Sequence, residues 1–469
     1  MPSHTETPDP TVDPWPNREI WPADRGVGLA YRGIVRWGGT LSKAYYRYRI
    51  TGAAFPDDAP VLLVQNHTNG IVDAYALLIT TRRRIRILVK YKLMTTPLLG
   101  WMLRRMEAVP LYRRKDGVDT RKNAEAFAAI NVALRERSVI ALFPEGESLT
   151  SIGLRSLKSG VARMAISAEQ SLEGGIGLKI VPLGTTWEDR DRIRTRMSAI
   201  IGEPIDVGAE LAAIHTQDPR ERVESLLKRV EESLQALILH ADTDEEHRAA
   251  VALERIHASD DTPLGLRRKA ALRALRSDRD RDHTGALERL RLVTDLGDAL
   301  HKGRLSGDDL TDEAPSAGSI LLSLAVLLPA AILGLPVLGL PSLAAVLISR
   351  MRRTPDKLVT LRLIPGSCVY LLWGALLTAV AASLSGPLLG ALVLGLFILY
   401  VPLGPRILDG LFSVRRAVLR RALERRPSDL QALQQNILSI RRALPLEFQA
   451  RSRAPKETHA ERVSTSQER

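Results

Sequence analysis

Five short apolar runs punctuate the first half of the chain: "PVLLVQNH", "IRILVK", "AVPLYR", "SVIALFPEG" and "KIVPLGTTW". Each is too short for a buried helix and is closed by turn or polar residues, which predicts strands. Between them, 73–81, "TTPLLGWMLRRM", "RKNAEAFAAINVALRE" and "GLRSLKSGVARMAISAEQ" carry helical spacing. Strands alternating with helices predict an α/β fold with a mostly parallel sheet and surrounding helices. Residues 27–49 alternate apolar and basic positions. That pattern fits a helix grazing a membrane and fits equally an amphipathic helix facing a core.

The pattern then changes twice. From about 209 to 312 the chain is polar and helical. Asp218-Pro219 opens one helix whose stripe is Val223, Leu226, Leu227, Val230, Leu234, Leu237 and Ile238. Beyond it, 314–349 holds 36 residues without a charge and 363–405 holds 43. Both exceed the roughly 20 apolar residues that span a bilayer. Arg350, Arg352, Arg353, Lys357 and Arg362 lie between the blocks, Lys302 and Arg304 before them, and Arg406, Arg415, Arg416, Arg420 and Arg421 after. If positive residues share one side, each block enters and returns, giving C-terminal transmembrane helices arranged as two apolar hairpins. The expected organisation is a disordered or loosely docked tail at 1–26 and an α/β domain with its N-terminal amphipathic helix at 27–210. A polar helical region at 211–312, a membrane domain at 313–405 and a basic polar tail at 406–469 follow.

Charge sharpens the choice of partner. The 469 residues carry a formal net charge of +13 and a pI near 10.0, so the surface suits anions. Aromatic residues make up 4% and acidic residues interleave with the basic ones, which argues against nucleic acid and for anionic membrane lipid. The single cysteine, Cys368, sits in an apolar block, which excludes disulfides and cysteine-based zinc sites and fits a reduced compartment. The remaining histidines, such as His215, His247 and His257, lie in polar helical tracts without metal-ligand spacing, so no metal is expected. The first 25 residues lack the apolar core of a signal peptide.

The candidate chemistry lies at the ends of the predicted strands, where working residues of parallel sheets gather. His67 and Asp73 stand in "QNHTNGIVD". An imidazole suits general-base work near neutral pH, and a carboxylate on its other nitrogen fixes the tautomer. No G-x-S-x-G elbow is present, so the base would act on a hydroxyl of the substrate. Arg113 and Arg114 follow "VPLY", and guanidinium forks match phosphate oxygens. Glu145 and Gly146 lie in the turn "FPEGES" with Ser148, and Arg155 and Lys158 stand near a predicted helix start.

In this order, the histidine–aspartate loop, "VPLYR", "FPEG" and "IVPL" resemble the motifs of the glycerophospholipid acyltransferases, the lysophosphatidate and glycerol-3-phosphate acyltransferase superfamily. The resemblance covers about residues 50–210. It implies transfer of a fatty acyl group from an acyl-coenzyme A or acyl-carrier-protein thioester to a glycerol-phosphate hydroxyl, with no cofactor. On that reading His67 is the base and Asp73 orients it. Arg113, Arg114, Glu145, Gly146, Ser148 and Lys158 hold the phosphorylated acceptor, and Pro182 borders the acyl site. The chain departs from the widespread pattern in three ways. Five residues rather than four separate His67 from Asp73, Glu107 stands where glycine opens the second motif, and Glu147-Ser148-Leu149 follow the FPEG glycine. The longer loop, an F-P-E-G-x-S turn and "LKSGVA" are similar to the glycerol-3-phosphate/dihydroxyacetone-phosphate branch, which also carries membrane segments after its catalytic domain. The resemblance implies an integral protein of the cell (inner) membrane, active on its cytoplasmic face. A 1-acylglycerol-3-phosphate acceptor, or a lipid-binding protein without catalysis on the same fold, are the alternatives.

Overall fold

The computed structural model describes residues 28–114, 117, 119–147, 153–257, 262–350 and 355–446. The tail at 1–26, Ser148 and the end of the chain after 446 lie outside the described residues. Among the described residues eight strands form one sheet: β1 (Tyr46–Gly52), β2 (Val61–Gln65), β3 (Ile85–Lys90), β4 (Val109–Leu111), β5 (Val139–Leu142), β6 (Lys179–Trp187), β7 (Thr195–Ile201) and β8 (Ile205–Asp206). The order is β1-β7-β6-β2-β5-β3-β4, with β8 also on β6. All neighbours are parallel except the β6–β7 and β6–β8 pairs. The sheet is therefore mostly parallel, and helices cover both of its faces.

The five apolar runs are all strands, and β2 and β5 are buried at every position. Alternation assigns their side chains. Val61 and Leu63 join Val139, Ala141, Val181 and Leu183 on one face, under the helices Leu29–Tyr45 and Ile71–Leu78. Leu62 and Val64 join Ile140, Leu142 and Ile180 on the other, under Asn123–Arg135, Gly160–Glu169 and Pro219–Leu237. The stripe anticipated on the last helix is this contact, with Leu226, Val230 and Leu234 fully buried.

The segment at 27–49 differs from a single helix. The helix ends at Tyr45 and the chain continues as β1, beside β7. "YRYRI" alternates with period two, so Tyr46 faces inward while Arg47 and Arg49 face out, a pattern a helix would scatter around its circumference. The helix itself packs Tyr31, Val35 and Tyr45 into the core. Gly38 permits its close approach to Ile71–Leu78, because a Cβ there would meet the Tyr75 ring at 2.0 Å.

The polar region forms the helices Asp244–His257, Leu264–Arg281 and His283–Gly303, which share a core with the C-terminal helix Pro427–Ala443. His257 Nε2 lies 2.9 Å from the Leu444 carbonyl and ties the two ends of this core together. Burial pulls the His257 pKa down from 6.5 to about 4, against the hydrogen bond to Leu444 and with help from Arg441. A depressed base pKa means that the folded state resists protonation. Its stabilisation is present above pH 6.5 and lost as the pH falls toward 4. Thermal melts of the wild type in detergent should therefore lose on the order of 1–2 kcal/mol across that window, after discounting for solvent screening, relative to a His257→Gln variant.

Among the described residues three helices are long and apolar enough to cross a membrane: those with spans at Ala317–Val337, Gly366–Ser385 and Pro387–Glu424. The first block is one kinked element: the helix Ala317–Gly334, a wide π turn at Leu335–Gly339, and the helix Leu340–Arg350. Pro336 lies within that turn and Pro341 at the start of the next helix, and each lacks a backbone donor. Gly386, at φ +87°, separates the helix Pro355–Ser385 from the helix Pro387–Glu424. An ion pair between Arg194 and Asp409, 3.0 Å at Nε, joins the last of these helices to the sheet domain.

Candidate active site

The loop after β2 is held from both sides. Asn66 accepts from the Thr185 N–H at 2.7 Å and donates to the Thr185 carbonyl at 3.0 Å, pinning the loop to β6. Gly70, at φ +57° and ψ −133°, supplies a backbone conformation that side chains resist. The helix Ile71–Leu78 starts directly after it, which brings Asp73 back onto the loop. This turn absorbs the fifth spacer residue: His67 Nδ1 and Asp73 Oδ2 are 2.9 Å apart.

Asp73 is fully buried and wholly satisfied. Its Oδ2 also accepts from the backbone N–H groups of Thr68 (2.8 Å) and Asn69 (2.6 Å), and Oδ1 accepts from Trp187 Nε1 at 3.2 Å. A carboxylate surrounded by donors has no hydrogen to give, so the shared proton sits on His67 Nδ1. The other ring nitrogen, Nε2, then carries the lone pair. The ring stacks on Phe143 with centroids 4.0 Å apart, which fixes its plane.

Glu145 takes a different place from the one expected. Its Oε1 accepts from the His67 N–H at 2.8 Å and its Oε2 from the Arg155 N–H at 3.4 Å. Burial pushes its carboxyl pKa up, and these two hydrogen bonds oppose that. Glu145 thus braces the histidine loop against the turn after β5, and a second anion beside it would be repelled. Gly146, at φ +75°, closes the turn by donating to the Phe143 carbonyl. Arg113 Nη1 donates to the Gly146 carbonyl at 3.3 Å and stands 3.9 Å from Glu147. Lys158 lies against the same glycine, 3.6 Å from where its Cβ would stand, and donates its N–H to the Pro144 carbonyl. The expected helix start is displaced here, because 153–159 straps the turn and the helix begins at Gly160.

The structure thus brings His67, Asp73, Glu145, Gly146, Arg113 and Lys158 together at the carboxyl ends of β2, β4 and β5. Arg114 is exposed beyond β4. Pro182 is not part of the cluster. It pairs with Val64 inside β6, and its ring packs toward Gly202 in the core beneath Leu237. Trp187, Asn66 and Thr185 went unrecognised in the sequence, although Trp187 ends the quoted run "KIVPLGTTW". Arg268 donates to the Trp187 carbonyl at 2.9 Å, so the helical region helps to hold the tryptophan that holds Asp73. Glu107 sits at φ +53°, a left-handed conformation that explains why glycine is usual there. Its carboxylate pairs with Arg84 and, at 2.9 Å, with Arg86. Among the described residues no three His, Cys, Asp or Glu side chains gather as a metal site.

The acyltransferase family model matches residues 47–186. Glycerol-3-phosphate O-acyltransferase 2 of Saccharomyces cerevisiae is 33% identical over 112 residues, 24% of this chain and 15% of that protein. Chloroplastic 1-acyl-sn-glycerol-3-phosphate acyltransferase LPAT1 of Arabidopsis thaliana is 26% identical over 149 residues, 31% of this chain and 38% of its own length. The match thus spans less than a sixth of the yeast enzyme and well under half of the plant one. The crystal structure of the 1-acyl-sn-glycerophosphate acyltransferase PlsC from Thermotoga maritima aligns at 19% identity with a TM-score of 0.33, over 44% of this chain and 80% of that one. The matched stretch runs from β1 to the penultimate residue of β6 and contains the whole histidine–aspartate pair: residues 47–186 of this chain form a domain of the acyltransferase family.

Proposed function

We propose that the protein is a membrane-bound O-acyltransferase that moves a fatty acyl group from an acyl thioester to a hydroxyl of a glycerol phosphate. The observation that carries this is the 2.9 Å contact of His67 Nδ1 with a buried, fully satisfied Asp73 at the end of a parallel strand. In the reaction His67 Nε2 takes the acceptor's hydroxyl proton as that oxygen attacks the thioester carbonyl. The new C–O bond forms, the C–S bond breaks, and the departing sulfur takes the proton back from the imidazolium. Arg113 and Lys158, beside Gly146, supply positive charge for the acceptor phosphate, while Glu145 keeps the histidine loop in register. The basic residues that flank the apolar helices favour the cytoplasmic face of a cell membrane, against anionic lipid.

Glycerol 3-phosphate and dihydroxyacetone phosphate are the preferred acceptors, on the likeness of the histidine loop and the FPEG turn to that branch. The match to the plant enzyme keeps 1-acylglycerol 3-phosphate as the second reading. The test offers purified full-length protein in detergent a labelled acyl-coenzyme A or acyl-carrier protein together with each acceptor. Transfer to a glycerol phosphate is expected, and no transfer to any of the three would overturn the proposal. An Arg113→Ala variant should raise KM for the phosphorylated acceptor about 10- to 100-fold with a smaller change in kcat, the value of a charge-assisted hydrogen bond.

A further inference from the structure

A cavity of about 760 Å³ opens between the helix Leu29–Tyr45, the turn at 191–193 and the apolar C-terminal helices. None of His67, Asp73, Arg113 or Glu145 lines it, so it is separate from the candidate active site. Its walls are mainly apolar, with Trp37 and Leu41 on one side and Ala330, Ala331 and Phe397 on the other. Where it meets the sheet domain, three arginines gather: Arg192, Arg304 and Arg362.

Two of these cations are anchored by the protein. Arg362 donates to the Asp191 carbonyl at 2.7 Å and to the Tyr45 hydroxyl at 3.0 Å. Arg192 pairs with Asp189 at 3.1 Å and donates to the His301 carbonyl at 3.0 Å. Arg304 differs. It ends the helix His283–Gly303 in a left-handed conformation, its guanidinium lies 4.7 Å over the Phe412 ring, and among the described residues no carboxylate stands within ion-pair distance. Burial lowers its pKa, and the charges of Arg192 and Arg415 add to that. A half-buried cation beside two others is stabilised by an anion, and guanidinium forks match phosphate. The adjoining apolar chamber is within the size range of small-molecule sites and sits among helices fit to cross a membrane. Its occupant therefore needs a charged head and a hydrocarbon chain together.

We propose that this cavity binds one anionic glycerolipid whose headgroup is a terminal phosphate, the phosphate at Arg304 with Arg192 and Arg362 and an acyl chain between Trp37 and Phe397. The site binds lipid whether or not acyl transfer takes place at His67, so the test reads binding alone and is run in the His67→Ala background. Delipidated full-length protein in detergent is titrated with phosphatidic acid carrying brominated chains, and tryptophan quenching is recorded against a Trp37→Phe reference. Saturable quenching that is lost with Trp37 is expected, with about one lipid per chain retained by mass spectrometry. Arg304→Gln should weaken this binding at least about 10-fold, and Ala331→Trp, which fills the chamber, should abolish it. Thermal melts of both variants confirm folding. Brominated phosphatidylcholine, a brominated fatty acid and glycerol 3-phosphate without a chain are the comparison ligands. Equal quenching by the choline lipid or the fatty acid, displacement by glycerol 3-phosphate alone at the same concentration, or unchanged binding in both folded variants would each overturn the proposal.

Discussion

Replacing His67 by alanine is expected to cut kcat/KM for acyl transfer by about 10²- to 10⁴-fold while leaving the fold in place. The size follows from what is removed. The alanine deletes the only nitrogen in the loop that can take the acceptor's proton. It leaves the turn cations proposed to position the phosphate, so a residual rate from positioning is expected. Folding should survive because Asp73 keeps its donors on Thr68, Asn69 and Trp187, and the His67 N–H still reaches Glu145. What is lost structurally is the ring stack on Phe143, worth about 0.5–1.5 kcal/mol, and the hydrogen bond from Nδ1 to Asp73. The measurement is steady-state acyl transfer beside a thermal melt. A large rate loss with a small melt shift is the expected signature, and a rate that survives the substitution would refute the base assignment.

Asp73→Asn should do comparable damage by another route. Asparagine has nearly the same shape, but its amide must present an NH₂ where a carboxylate oxygen now accepts from three donors. If the amide nitrogen takes the Oδ2 place, it faces the N–H groups of Thr68 and Asn69. If the amide is flipped, Trp187 Nε1 meets the NH₂ instead. In the first arrangement His67 Nδ1 loses its acceptor, and the preference for a lone pair on Nε2 is lost. The expected result is a fall in kcat of about 10³- to 10⁴-fold, together with about 1–3 kcal/mol of stability from the unsatisfied buried donor. Acceptor KM should change little, since Asp73 does not face the Arg113 turn. A variant with a proportionate loss in KM and an intact kcat would place Asp73 in binding rather than in orienting the base.

Much of the fold was legible because parallel strands buried on both faces leave unbroken apolar runs, and β2, β5 and the first half of β6 do so. β1 was not legible as a strand, since its "YRYRI" adjoins a helix of the same apolar and basic composition. β7, "TRMSAII", opens on polar residues, and β8 is only two residues long, so neither shows an apolar run of strand length although Gly202 and Pro204 mark the turn between them. At the site, the histidine–aspartate pair could be read because its partners are six residues apart. The donors that complete Asp73 could not, because Trp187 comes from a strand 114 residues away. Glu145 was placed on the phosphorylated acceptor by the resemblance of its FPEG turn to the acyltransferase motif. Only the packing shows both of its oxygens engaged by main-chain N–H groups.

The helical core that supports Trp187 from behind has a consequence for the order in which the protein is made. Leu253, Leu296 and Leu310 share that core with Leu430-side residues of the last helix, Ile437 and Ile440. The chain between Leu310 and Leu430, about 120 residues, contains the three helices that, among the described residues, are long and apolar enough to cross a membrane. At about 5–20 residues per second, a ribosome needs roughly 6–24 s to cross it. Throughout that interval the first three helices stand as an open socket, with apolar surface turned to water. The socket fills only after the three apolar helices have left the ribosome, so completion of the core reports that they have been made.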